Sequence, residues 1–281
     1  MMHAENNRIS NPQRIITYIL LIGGGIFTVL PLLWLARSSV MSVREIFTMP
    51  PLILPEVFQW DNYVQIFKIQ PLGKYFINTI GIVFLNIIGA ILSNTVLAYA
   101  FARIKFKGRN MMYSICLATL MLPAAVTMIP LFVEWKFLGG LNSFAPLIVP
   151  AFFGNAFYMF MLRQFFATIP LEYDEAAFVD GANDWQIITR IIMPLSKPAL
   201  AVVAIFTFLA TWNDFIGPLL YLNDLDKFTV ALGLKALISS YNTQWNYLMA
   251  AAMVVVLPLI LLFAFTQRYF IEGLTLGGVK G

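Results

Sequence analysis

"EYDEAAFVDGANDWQIITRIIMPLSKP", residues 172–198, gathers Glu172, Asp174, Glu175, Asp180 and Asp184 from a chain with 14 acidic residues. Two strongly apolar stretches flank it. In a soluble domain this would be an ordinary surface loop. Here it is the exception, because 60% of the 281 residues are hydrophobic and 11% are charged. A soluble domain is nearer half apolar and about a quarter charged. The chain lacks the charge to clothe a soluble core, so its solvent is mostly lipid. A polar stretch of this length then belongs in water, between two membrane helices.

Six segments are long and apolar enough to span the bilayer: roughly 15–36, 76–99, 111–132, 143–162, 199–220 and 248–266. Backbone groups in lipid must bond within their own segment, which dictates helices. The runs are apolar all round, unlike the alternating strands of a barrel. The fold class is an all-α membrane protein: six transmembrane helices with a polar loop between the fourth and fifth. The organisation expected is an N-terminal tail (1–14), a helical domain (15–266) holding the loop at about 168–198, and a C-terminal tail (267–281). The first apolar stretch is too long for a cleaved signal core, and it exits through Trp34-Leu35-Ala36-Arg37 without a small-residue cleavage site. It reads as a retained helix. Pro31, Pro123, Pro130, Pro146, Pro150 and Pro258 fall inside spans, where they read as kinks before they read as hinges. The loop at 37–75 has room for a short interfacial helix near Phe58, Trp60 and Tyr63.

Eleven of the 18 basic residues fall on one side of this arrangement. They are Arg8, Arg14, Arg103, Lys105, Lys107, Arg109, Arg163, Arg190, Lys197, Arg268 and Lys280. The positive-inside rule places both termini and the 172–198 segment in the cytoplasm. The excess of positive charge reads as an orientation signal, not as a nucleic-acid patch. One Cys (Cys116) and one His (His3) exclude an internal disulfide and a His/Cys metal site. No G-x-x-x-x-G-K-[S/T] occurs, so the chain has no phosphate-binding loop of that type. No nucleophile–base pair or paired acids at one depth suggest an enzyme. Asp214, in "TWNDFIGP", is the one acid inside an apolar run. With Asn213 it is a possible gate or pathway residue; the alternative is a cap at a helix break. Asn86, Asn94 and Asn155 either line a polar path or bond between helices.

Within 168–198, Thr168 is placed to cap a helix and Pro170 to sit at its first turn. Glu172, Asp174 and Glu175 follow, where the helix dipole favours negative charge. Gly181 breaks the run. Asn183 or Asp184 caps a second helix with Trp185, Ile188, Ile191 and Ile192 on its apolar face. Ala176, Ala177 and Gly181 permit close approach of another surface, and Phe178 is an apolar knob beside them. The pattern suits a helix docking into a partner's groove. A helix resting on lipid headgroups is normally rich in Lys and Arg, and this one is acidic.

"EAAFVDGANDWQIITRIIMP" resembles the EAA loop of ABC-transporter permeases: Glu-Ala-Ala, three residues, Gly, nine residues, then Ile-x-Leu-Pro. Glu175, Ala176, Ala177, Gly181, Ile191 and Pro194 fall on that pattern, with Met193 where Leu is usual. "NTIGIVFLN", "LAYAFARIKFKGR", "TWNDFIGPLL" and "EGLTLGGVKG" are similar to carbohydrate-uptake permeases of the maltose-transporter type, the shorter six-span subunit. The likeness runs from about residue 60 to 281. It implies that Glu175, Ala176, Ala177, Phe178 and Gly181 form a coupling helix seated on a cytoplasmic ATPase. It also implies that the tail, including Gly277, Gly278 and Lys280, reaches toward that ATPase. The implied assembly has two ATPase copies that use ATP, a second non-identical permease, an extracytoplasmic solute-binding protein and a sugar cargo. It sits in a bacterial or archaeal cell membrane; this chain carries no cofactor and meets no nucleic acid. The alternatives are an ion-coupled secondary transporter, for which only Asp214 is a candidate coupling acid, or an ABC importer of a non-sugar solute.

Overall fold

A computed structural model describes residues 11–238 and 243–278. Among the described residues every regular element is a helix. The elements used below are α1 (Asn11–Ser39), α2 (Asp61–Ile69), α3 (Leu72–Arg103), α4 (Arg109–Ala118), α5 (Ala124–Phe137), α6 (Ala156–Thr168), α7 (Glu172–Val179), α8 (Asp184–Ile187), α9 (Lys197–Trp212), α10 (Ile216–Tyr221) and α11 (Trp245–Gly278). Two compact units emerge, one from Met1–Ile69 with Leu237–Val255, the other from Gln70–Ala236 with Val256–Gly281.

In the first unit, the best apolar window of α1 has no buried residue. Its side chains are therefore free to face lipid or another chain. The loop after α1 folds on Asn62, which is buried. The Asn62 amide donates to the carbonyls of Ser39 (2.9 Å) and Met41 (3.0 Å) and accepts from the Asn246 amide (2.9 Å). A buried amide with both ends satisfied specifies one loop conformation. The expected interfacial helix is α2. Phe58 and Trp60 stack before it, with ring centroids 5.9 Å apart.

The second unit is built around α3, whose main neighbours are α9, α6 and the 3₁₀ turn Val149–Phe153. Small residues allow the helices to approach. Ala90 and Ala98 are buried, and Gly89 lies where an added Cβ would come 2.8 Å from the Phe152 ring and 3.1 Å from the Ala151 backbone. Apolar contact continues through Tyr99, Leu162, Phe166, Ile187, Ile192 and Val203 in one cluster.

Several expected spans are broken rather than kinked. Arg109–Met121 and Ala124–Phe137 meet at 100°. Pro123 disfavours the helical conformation for the residue before it, and Leu122 is extended (φ −78°, ψ 119°). The fourth span is interrupted at the 3₁₀ turn carrying Pro150, and Gly154 turns the chain with φ +91°. Asn155 then caps α6 by accepting the N–H groups of Phe157 and Tyr158. The polar groups freed by this break are met from α3: Ser93 donates to the Ala151 carbonyl (2.9 Å), and Asn94 accepts the Asn155 N–H (2.7 Å). The fifth span stops at Trp212 and resumes as α10. Four helices are long and apolar enough to cross a membrane, or six if each of two bent pairs is one crossing. The protein is a multi-pass α-helical membrane protein.

Gly89→Val is expected to destabilise the protein by about 1–3 kcal/mol through overpacking, read as a lower unfolding temperature in detergent. Gly81→Ala, with nothing within 4 Å of the added Cβ, is the control and does not lower it, since alanine is the better helix former.

Candidate functional site

The polar segment is two short helices joined at a glycine. Leu171, with helical dihedrals and no side-chain cap, precedes α7. Thr168 does not cap α7: it ends α6, and its hydroxyl donates back to the Phe165 carbonyl (2.7 Å). Pro170 fixes its own φ and holds Ile169 extended (ψ 128°), so the chain must turn before a new helix starts. At the other end α7 closes as a Schellman motif. The Ala182 N–H reaches the Ala177 carbonyl and the Gly181 N–H the Phe178 carbonyl, with Gly181 at φ +82°. Asn183 and Gln186 then form a capping box that starts α8. A π-turn, Ile188–Ile192, follows. Ile187, Ile188 and Ile192 are buried while Trp185 is exposed. Trp185 therefore does not share the apolar face expected of it: the buried Ile187 lies two residues on, about 200° around α8 from it.

The end of α3 holds both short helices. The Arg103 guanidinium donates to the Ile169 carbonyl (2.6 Å) and lies 3.2 Å from an Asp174 carboxyl oxygen. Both side chains are 7% exposed, although Arg103 Nε lacks hydrogen-bond alignment. One turn earlier, the Tyr99 hydroxyl donates to Asp184 Oδ1 on α8 (3.2 Å). Burial is the main influence on Asp174 and pushes its carboxyl above the usual range; Arg103 pulls it down, and Asp184 pushes it up again. Arg163 reinforces the corner, donating to the Phe101 carbonyl (3.2 Å) and lying over the Tyr113 ring (4.3 Å).

This clasp decides which side of α7 remains free. Asp174 and Ala177 are buried against the chain's own core. Glu175 and Ala176 are exposed, as are Phe178 (51%) and Val179 (87%). Gly181 is exposed, and a Cβ there would meet nothing within 4 Å. Of the five residues expected at a docking surface, four face outward and Ala177 faces inward. Gly277 and Gly278 lie at the end of α11, and Lys280 lies outside the described residues.

A second feature is a cavity of about 490 Å³ in the same unit, walled by α3, α6, α9, α10 and the 3₁₀ turn. Asp214 lines it and also accepts the Gly217 N–H (3.0 Å), which makes it the cap of α10. Asn213 does not line it; its amide turns back to the Leu209 carbonyl (2.8 Å). Asn94 and Asn155 line the wall with their oxygens engaged, Asn94 by the Asn155 N–H and Asn155 by the first N–H groups of α6.

Residues 94–275 match the family described as binding-protein-dependent transport system inner membrane component. The diacetylchitobiose uptake system permease protein NgcG of Streptomyces coelicolor is 35% identical over 90% of this chain and 84% of its own length. The arabinooligosaccharides transport system permease protein AraQ of Halalkalibacterium halodurans is 34% identical over 95% of this chain and 98% of its own. Among solved structures, a bacterial ABC transporter involved in import of the acidic polysaccharide alginate contains a chain of the same fold, with TM-score 0.82, 24% identity, and 93% of this chain and 98% of that one covered.

Removing one partner of a buried ion pair costs about 3–5 kcal/mol, so Arg103→Met is expected to lower the unfolding temperature markedly at neutral pH. The folded pKa of Asp174 is raised and rises further without Arg103. Its contribution to stability is therefore full below the ordinary carboxylate pKa and lost as pH rises through the folded value. The deficit should narrow on acidification, and adding Asp174→Asn should recover most of it at neutral pH. A deficit independent of pH and of Asp174 would place the effect elsewhere.

Proposed function

The chain belongs to the family of binding-protein-dependent transport system inner membrane components, and on that premise we propose that it forms half of the translocation path of an ATP-driven importer whose cargo is a sugar or oligosaccharide. The cargo class is supported by relatives that serve uptake of diacetylchitobiose and arabinooligosaccharides over nearly the full chain. Family membership displaces the ion-coupled alternative, and these relatives are transport permeases rather than enzymes.

The observation that carries the mechanism is the clasped acidic segment. Its inner face is fixed to α3 through Arg103 and Tyr99. Its outer face offers Glu175, Ala176, Phe178 and Gly181. A partner that seizes this outer face moves α3 with it. In our reading the partner is one of two cytoplasmic ATPase subunits. A second, non-identical permease completes the path, and an extracytoplasmic binding protein delivers the sugar. ATP is bound and hydrolysed by the partner subunits. Closure of the ATPase pair would push α7 and switch the bundle between two states, coupling distant sites. Six crossings follow if the Arg109–Phe137 pair counts as one and Asp184–Leu195 with α9 as another, with both termini in the cytoplasm on our reading.

Phe178→Ala is expected to cut sugar uptake by the intact assembly about tenfold, the ~1.4 kcal/mol worth of one apolar anchor, with no change in unfolding temperature. A cysteine replacing Phe178 in a Cys116→Ala background should crosslink to an ATPase subunit. Full uptake by the first variant, or modification of that cysteine by an impermeant reagent outside intact cells, would refute the reading.

A further inference from the structure

Two buried side chains on the cavity wall have polar atoms without a hydrogen-bond partner in the chain. Asn86, 8% exposed, donates through its amide nitrogen to Thr211 Oγ1 (3.2 Å) and leaves Oδ1 unpartnered. Thr207, 6% exposed, leaves its hydroxyl unpartnered. Both line the cavity. Leaving a buried polar group unpaired costs about 1–3 kcal/mol each, and Leu or Val would fill these positions without that cost. The other amides of the wall are accounted for: Asn94 and Asn155 hold the broken helix together, and Asp214 caps α10. Among the described residues of the wall, Asn86 and Thr207 are the two whose buried oxygens have no partner.

We infer that this chain itself holds a solute-binding station in this cavity, and that its ligand is an uncharged polyhydroxylated unit of the cargo. The inference rests on the proposed sugar cargo and adds a location and a charge class to it. An amide oxygen and a hydroxyl can accept from and donate to sugar hydroxyls, which both give and take hydrogen bonds. The volume lies within the ~300–1,000 Å³ of small-molecule sites. Asn86 is fourteen residues beyond Leu72 on α3, roughly 21 Å along it, near the middle of that 32-residue helix. Charge narrows the ligand further. No Lys or Arg lines the cavity, and its one ionisable acid is Asp214. A uronic or phosphorylated sugar would enter a low-dielectric site with no cation to meet it, against a carboxyl.

The test uses the intact assembly with Cys116→Ala and Ala210→Cys; Ala210 is an exposed residue of the cavity wall. The readout is the rate of maleimide labelling in the presence of diacetylchitobiose, arabinotriose or digalacturonate. A neutral oligosaccharide that the assembly imports should slow labelling, and digalacturonate should not. Thr207→Val, nearly isosteric, and Asn86→Leu should each raise the half-protecting concentration about tenfold, the worth of one hydrogen bond. Asp214→Asn keeps a capping oxygen and should let digalacturonate begin to protect. Absence of protection in an assembly that imports the neutral sugar would overturn the station and leave the transport reading intact. Equal protection by digalacturonate in the Asp214 parent would overturn the charge class. Failure of the parent assembly to import any sugar would remove the transport reading, and this inference with it.

Discussion

The contact on which the second unit depends is the buried pairing of Arg103 with Asp174 at the end of α3. A charge pair taken out of water is rarely a net source of stability, because desolvation consumes most of the Coulomb gain. Its value here is specificity of placement. Arg103 also holds the Ile169 carbonyl, so one guanidinium ties the strand-like exit of α6 and the first turn of α7 to α3. Tyr99 adds α8 one turn away. Without these contacts, two helices of eight and four residues would have little reason to keep a fixed orientation, since isolated helices of that length are marginal in water. The clasp turns them into an extension of a 32-residue helix.

The same helix also repairs the breaks that prolines impose on its neighbours. A membrane helix interrupted at Pro150 and Gly154 leaves N–H and C=O groups that lipid cannot satisfy. Ser93 and Asn94 supply them, and Gly89 removes the side chain that would keep the 3₁₀ turn at a distance. The polar residues of α3 are therefore of two kinds. Those at 93 and 94 substitute for missing backbone partners. The one at 86 faces the cavity with an acceptor to spare.

Much of this was legible from residue order. The apolar runs, the glycine bend at Gly181 and the cap at Asn183 follow from lipid solubility, αL permissiveness and side-chain reach, all local properties. What was not legible required knowing what lies across the fold. Asp174 has the look of a first-turn dipole residue beside Glu172 and Glu175, and only its burial separates it from them. Arg103 sits in a basic linker, where positive charge already has an explanation in membrane orientation. Ala177 shares a motif with Ala176 but lies one residue on, about 100° around the helix, and that rotation turns it onto the chain's own core. Pro123 signalled a perturbation, but whether a helix bends slightly or by 100° depends on what its two halves pack against. The π-turn at 188–192 has no signature in the sequence Ile-Thr-Arg-Ile-Ile.

The acids of the opening segment thus divide by where they point. Asp174 and Asp184 face α3 and join the segment to it; Glu175 faces away and is free to meet another molecule. A lever needs this division, because a helix that gripped its partner and its own chain through the same side could not transmit displacement between them. On the proposed reading, motion delivered to the outer face would reach Arg103 through a short, buried, charged contact and from there run along α3, which contains no proline between Leu72 and Arg103. Asn86 and the cavity wall lie on that same rigid rod. On that reading, a displacement of α3 would also bear on α9, where the Asn86 amide donates to Thr211 Oγ1.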